Sequence, residues 1–298
     1  MKLAKLSLAV AAGLLALGAQ ADTLAKFKTN GKAVMGVRES SIPLSYTIGD
    51  GKYVGYHVEI CERILRNARA KAGVANLAIE YVPVTSQNRQ PLLMNGTVDI
   101  ECGSTTNNAT RQQQVAFALT TYITEVRMAV RANSGIDSIN QLNGKTVITT
   151  TGTTSVQHLR RHEKSAGVDF KEVYGKDHAD SFLLLETGRG EAFIMDDNLL
   201  AGLIANSKAP ADFKIAGEVL NVEPIAIMLR KDDPEFKKVA DDTIRDLIKS
   251  GELTKLYAKW FTSPIPPKNS NLNMPMGAGL KAALANPNDN PMEAYAKK

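Results

Sequence analysis

Hydrophobic and polar positions follow two alternating periods along this chain. Residues 33–37 form a short apolar run that reads as a strand, followed by a polar loop through Asp50 and Gly51. Beyond Gly55, the residues Val58, Cys61, Leu65 and Ala68 recur at intervals of three and four, one face of an amphipathic helix. Residues 77–84 alternate as a strand. Ser86 is placed to cap a short helix that stops at Asn95 and Gly96, and residues 98–100 open the next strand. This β-α-β-α-β succession with short connections predicts a largely parallel sheet covered by helices on both faces. Loops at the strand C-termini are then free for ligand.

The pattern restarts at residues 126–131, an apolar-alternating run. A short helix over 138–142 precedes Gly144, and the β-rich run 145–151 feeds Gly152, Thr153, Thr154, Ser155 and a further helix. Residues 170–174 read as a strand, 181–187 as a helix ending at Gly188, and 192–195 as another strand, so a second α/β unit follows the first. After a strand-like stretch at 225–229, Asp232, Asp233 and Pro234 turn the chain into a long helix with Phe236, Val239, Ile244, Leu247 and Ile248 on one face. Leu253, Leu256, Tyr257 and Trp260 continue a second helix. The Pro- and Asn-rich tail from Ile265 is expected to lie extended over the surface.

The first 21 residues change the picture. Lys2 and Lys5 precede an apolar stretch over 6–17 and an Ala-Gln-Ala cleavage signal at 19–21, the features of an export leader. Removing it leaves 277 of the 298 residues, enough for two ordinary domains. No later stretch approaches the length of a membrane span. The formal charge falls from +5 to +3 with the leader lysines. Basic and acidic residues are interspersed, which argues against nucleic-acid binding. Cys61 and Cys102, the only cysteines, could form one disulfide in an oxidising compartment, but their apolar helix and strand positions favour two buried thiols.

Four loops fall where strand ends converge. They carry Arg38, then Ser86 and Arg89, then Ser104, Thr106 and Arg111, and lastly Thr154. Three arginines at strand ends of one unit suit an anion, because a guanidinium grips a carboxylate through two parallel bonds. Taken singly, each could equally pair with a surface acid. Thr154, at a strand-to-helix junction, offers a hydroxyl beside a helix N-terminus, although ordinary capping produces the same pattern. Asp196, at the end of an apolar strand, could hold an ammonium group, while Asp197 points elsewhere because strand side chains alternate. His178 stands just before a helix, where it could donate to an anion or only help start the helix. His158 and His162 share a helix face without the glutamate of a zinc-protease motif, so a solvated face is expected and no metal. There is no nucleophile elbow, no Ser-x-x-Lys and no Cys beside a His. The residues look arranged to bind.

MGVRESSIPLSY from Met35, PVTSQNRQPLLMNGTVDIECGSTTNNATR from Pro83, TTTGTTS, KDHADSF, FIMDDNLLA and MLRKDDPEFKK together resemble the periplasmic substrate-binding proteins of ABC transporters for polar amino acids. The resemblance runs from about Leu24 to Lys268. It implies a type II periplasmic-binding-protein fold, α/β with two lobes and two hinge strands near 124–130 and 223–229. Residues 1–21 would be a cleaved signal peptide, 22–125 the first lobe, 126–225 the second, and 226–298 a return to the first lobe with the tail. The implied function is cofactor-free capture of L-glutamate or L-aspartate by a periplasmic monomer that closes and docks on an inner-membrane permease. Carried over residue by residue, Arg111, Ser104 and Thr106 would hold the α-carboxylate and Asp196 the α-ammonium. Arg38, Ser86, Arg89 and His178 would surround the side-chain carboxylate, with Thr154 contributing from the second lobe. The competing expectation is an exported enzyme on the same two-lobed fold, dehydratase-like and acting on a small carboxylic acid. His178 and Asp197 are its only acid–base candidates. A receptor-coupled sensing module is a third.

Overall fold

A computed structural model describes residues 22–295 of the protein; the export leader expected at 1–21 lies outside them. Two five-stranded sheets organise the chain. The first orders its strands Ala78–Pro83, Lys32–Val37, Ile100–Glu101, Met228–Arg230 and Val115–Phe117. Lys32–Val37 runs parallel to both its neighbours, whereas Met228–Arg230 runs antiparallel to both of its own. The second sheet is ordered Lys171–Gly175, Thr146–Thr150, Ala192–Asp196, Tyr122–Arg131 and Phe213–Ile225, the first three parallel and the last two antiparallel.

The antiparallel pair is what joins the lobes. Tyr122–Arg131 carries the chain into the second lobe and Phe213–Ile225 carries it out, with Tyr122 opposite Ile225. The crossovers at residues 118–121 and 225–228 therefore run side by side, bonded through Ala118 N–H to the Ile227 carbonyl and Thr121 N–H to the Ile225 carbonyl. The first lies a few residues ahead of the 124–130 strand expected for it. Aromatic packing pins this point: Phe261 of the Glu252–Phe261 helix stacks on Tyr122 at 4.9 Å and on Tyr257 at 4.3 Å.

Periodicity explains the flanking helices. Tyr56–Ala72 buries Val58, Cys61, Leu65 and Ala68, the residues whose spacing announced it, together with Tyr56, Ile60 and Ile64. In Pro234–Lys249 the proline occupies the first turn, where its missing N–H costs nothing, and Asp233 caps the Phe236 N–H at 3.1 Å. The other Asp233 oxygen accepts from Thr23 N–H at 2.9 Å, tying in an N-terminal helix, Thr23–Asn30, that the sequence pattern did not reveal.

Four expectations are corrected. The loop after Val37 contains a small antiparallel sheet of Ser40–Ser41, Ser45–Thr47 and Tyr53–Val54. Ser86 does not cap the following helix: Arg89–Met94 starts after Asn88, whose side chain accepts from Thr85 N–H while Thr85 Oγ1 accepts from Asn88 N–H. That reciprocal turn occupies the local donors and leaves Ser86 turned into the space between the lobes. The tail is not simply extended, because Ala278–Ala285 is helical and buries Leu280, Ala283 and Leu284. Finally, Cys61 and Cys102 are joined in a disulfide rather than left as thiols, with Cα atoms 6.3 Å apart. Periodicity placed each cysteine in an apolar setting but carried no information about their separation.

Candidate binding site between the two lobes

The lobes are closed on one another. Gly152 has φ of +80°, and a side chain there would stand 2.7 Å from the Gln87 Cα of the opposite lobe, so the turn requires glycine for both conformation and approach. Gly202 meets the first lobe as closely, with the Ile42 carbonyl oxygen 2.5 Å from where its Cβ would be.

Between these contacts is a small, tightly closed cavity. Of the nine residues singled out in the sequence, seven line it: Ser86, Arg89, Ser104 and Thr106 from the first lobe, and Thr154, His178 and Asp196 from the second. Arg111 opens instead on an adjoining, larger cavity shared with Ser86 and Arg89, and donates to the Thr106 carbonyl at 2.8 Å. Arg38 is wholly buried one layer behind, its Nη1 bonded to Ser104 Oγ at 3.3 Å. Thr153, Met195 and Leu199 line the cavity without having been expected there.

Charge in the cavity is left unbalanced. Arg89 is buried, and its Nη1 has no hydrogen-bond partner among the described residues; Ser86 Oγ likewise has none. Burial, then the nearby Arg111, pulls the Arg89 guanidinium down to about 9, partly offset by Glu101. Arg111 is also lowered, by burial against the attraction of Glu223, Glu101 and Asp196. On the second lobe, burial, Glu223 and Asp197 hold the Asp196 carboxyl well above the carboxylate range, opposed by Arg89 and Arg111. One cavity thus holds a guanidinium short of a hydrogen-bond partner and a carboxyl whose ionisation its surroundings oppose, a pairing that a ligand bearing both carboxylate and ammonium would relieve.

Two buried polar pairs missed in the sequence hold the surroundings. Arg38 Nη2 donates to Asp177 Oδ1 at 2.6 Å across the cleft, and Ser40 Oγ donates to Asp177 Oδ2 at 2.6 Å. The second proton of Nη2 meets His178 Nε2 at 3.3 Å. A guanidinium only donates, so Nε2 accepts and the ring proton sits on Nδ1, facing Thr150 Oγ1 at 3.1 Å. Burial and then Arg38 push the ring down to about 3, with Asp177 opposing, so it is neutral at neutral pH. In this closed form both ring nitrogens of His178 are therefore engaged by protein groups. The second pair joins His158 Nε2 to Glu223 at 2.5 Å, both buried. The solvated face expected for His158 and His162 fails at His158, which is buried, while His162 is half-buried and bonded to Asn140. Asp177 lay inside a quoted motif and Glu223 inside an expected hinge strand, but neither had a partner nearby in sequence to mark it.

The fold and its charged cleft define a two-lobed receptor for a small solute. The chain belongs to the bacterial extracellular solute-binding proteins, family 3, which it matches over residues 33–263. It is 44% identical over 288 residues, 95% of each chain, to the glutamate/aspartate import solute-binding protein of Escherichia coli strain K12. It is 42% identical over 293 residues, 97% of each chain, to the L-glutamate/L-aspartate-binding protein of Pseudomonas aeruginosa. The crystal structure of a cysteine-binding protein from Campylobacter jejuni superposes with a TM-score of 0.69 at 28% identity, covering 80% of this chain and 93% of that one. Among the described residues no helix is long and apolar enough to cross a membrane, and no cluster of three His, Cys, Asp or Glu side chains could hold a metal ion.

Proposed function

We propose that this chain is the periplasmic receptor of an ABC importer, capturing L-glutamate or L-aspartate between its lobes and presenting the closed form to an inner-membrane permease. The observation that carries this reading is that Arg89, with an unpartnered Nη1, and the buried carboxyl of Asp196 face one cavity between the lobes. A zwitterion bearing one extra carboxylate matches that charge pattern. Ser104 takes the α-carboxylate, with Arg111 reaching it from the adjoining cavity it shares with Arg89; Asp196 takes the α-ammonium, and Ser86 and Arg89 the side-chain carboxylate, with Arg38 and His178 supporting them from behind and beside. Ligand bridging the lobes stabilises the closed state by its differential affinity for it.

Capture is favoured over catalysis because neither acid–base candidate is free. His178 is occupied at both ring nitrogens, and the Asp197 carboxylate accepts from Thr124 Oγ1, Glu125 N–H and Asn198 N–H away from the cavity lining. Calorimetric titration of ligand-stripped protein with glutamate, aspartate, glutamine and citrate tests the reading. Binding with unit stoichiometry confined to the two acidic amino acids is expected; binding of none, or of citrate alone, would overturn it.

A further inference from the structure

Glu223, on the strand leaving the second lobe, is wholly buried and does not line the ligand cavity. One of its carboxylate oxygens collects two hydroxyl protons, from Thr106 of the first lobe at 2.6 Å and from Thr154 of the second at 2.9 Å. Its other oxygen faces His158. A carboxylate only accepts, and a threonine hydroxyl has a single proton to give. With both protons turned toward Glu223, the two hydroxyl oxygens, 3.3 Å apart, can offer the cavity only lone pairs. They share that cavity with the Asp196 carboxylate. The result is a group of acceptors suited to the three N–H bonds of an ammonium group and unfavourable to a carboxylate.

We propose that Glu223 is a positioning residue for ammonium recognition: it fixes the polarity of the Thr106 and Thr154 hydroxyls, so that the closed cavity accepts an amino acid and rejects the same acid lacking its amino group. This rests on the amino-acid reading above and deepens it. It also changes the part of Thr106, whose hydroxyl cannot donate to the α-carboxylate while it is bonded to Glu223. Because the two threonines come from opposite lobes and Glu223 from the strand that joins them, the subsite is complete only on closure.

The test compares L-glutamate with glutarate, the same dicarboxylate without the ammonium, by calorimetry and by competition. In Glu223→Gln the amide can donate toward a hydroxyl and reverse its polarity. Glutamate affinity is expected to fall roughly 10- to 100-fold, as for loss of hydrogen bonds to a charged group, while glutarate affinity changes less than about threefold. Removing the Glu223 charge would by itself favour anions, so Thr106→Val and Thr154→Val are measured alongside. Each removes one acceptor without altering charge and should lower glutamate affinity roughly tenfold with glutarate little changed. The valine variants carry the comparison alone if Glu223→Gln fails to fold. Equal losses for both ligands, or selective loss in Glu223→Gln alone, would overturn the inference while leaving the amino-acid reading intact. Wild-type protein that binds glutarate as tightly as glutamate, or neither, would overturn both.

Discussion

Arg38 of the first lobe and Asp177 of the second form an ion pair across the closed cleft at 2.6 Å, with the guanidinium wholly buried. Neither residue lines the cavity, so the pair secures the closed form whatever ligand occupies it. Asp177→Asn should therefore weaken glutamate and aspartate alike, by roughly 10- to 100-fold for a lost charge-assisted hydrogen bond. Calorimetry of both ligands on the variant checks this. Unchanged affinity would show that the pair contributes nothing to closure.

The same pair sets an acid limit. Burial alone would raise the Asp177 carboxyl, but Arg38, His178 and the Ser40 hydroxyl together hold it at about 2. A folded value below the ordinary value of about 3.9 means that the contribution is complete above roughly pH 4 and is lost as pH falls toward 2. Acid unfolding of wild type and Asp177→Asn, followed by circular dichroism, should converge over that window.

Asp196 should behave in the opposite sense. Its carboxyl is raised in the folded, unliganded protein, so the native state holds a proton that the unfolded chain has released, and stability falls as pH climbs above about 4. Asp196→Asn is expected to abolish amino-acid binding yet raise the melting temperature of the ligand-free protein at pH 7. That gain should shrink toward pH 4. A variant that is less stable at pH 7 would contradict the assignment of Asp196 as a buried carboxyl whose ionisation is uncompensated without ligand.

Gly152 and Gly202 report closure by sterics alone. A methyl at either position meets backbone of the opposite lobe, at 2.7 Å from Gln87 Cα or 2.5 Å from the Ile42 carbonyl oxygen. Gly202→Ala changes no ligand-lining residue and sits at a helical position, so it should fold normally while losing ligand affinity at least about tenfold, the equivalent of about 1.4 kcal/mol against closure. Small-angle scattering with saturating glutamate should show the variant failing to contract as wild type does.

The disulfide between Cys61 and Cys102 spans 41 residues and anchors the ligand loop that follows Cys102 to the long first-lobe helix. Chain-entropy reasoning gives about 4 kcal/mol for a loop of that length. Native protein should show no free thiol before reduction and two afterwards. Guanidinium unfolding should give a stability loss of that order for the double serine variant.

The layers of the fold were legible because each helix and strand must bury one face, and that requirement writes a period of 3.6 or 2 into contiguous residues. Val58, Cys61, Leu65 and Ala68 marked their helix, and the positions of Arg89, Thr106, Thr154 and Asp196 at strand ends marked the cleft. The Thr23–Asn30 helix was not legible, because it leans on Asp233, 210 residues away from Thr23.

The sequence by itself determined two α/β units, their order, and a cleft rich in carboxylate-binding groups with one acid to oppose them. Tertiary structure alone decided that Arg89 faces the cavity while Arg38 stands behind it against Asp177, that His178 Nε2 accepts from Arg38, that Cys61 reaches Cys102, and that Glu223 turns two hydroxyls toward itself. Local periodicity records which side of an element is buried. Hydrogen-bond polarity, ion pairing and bridging depend on distances of a few ångströms between residues far apart in the chain, and those exist only once the lobes have packed.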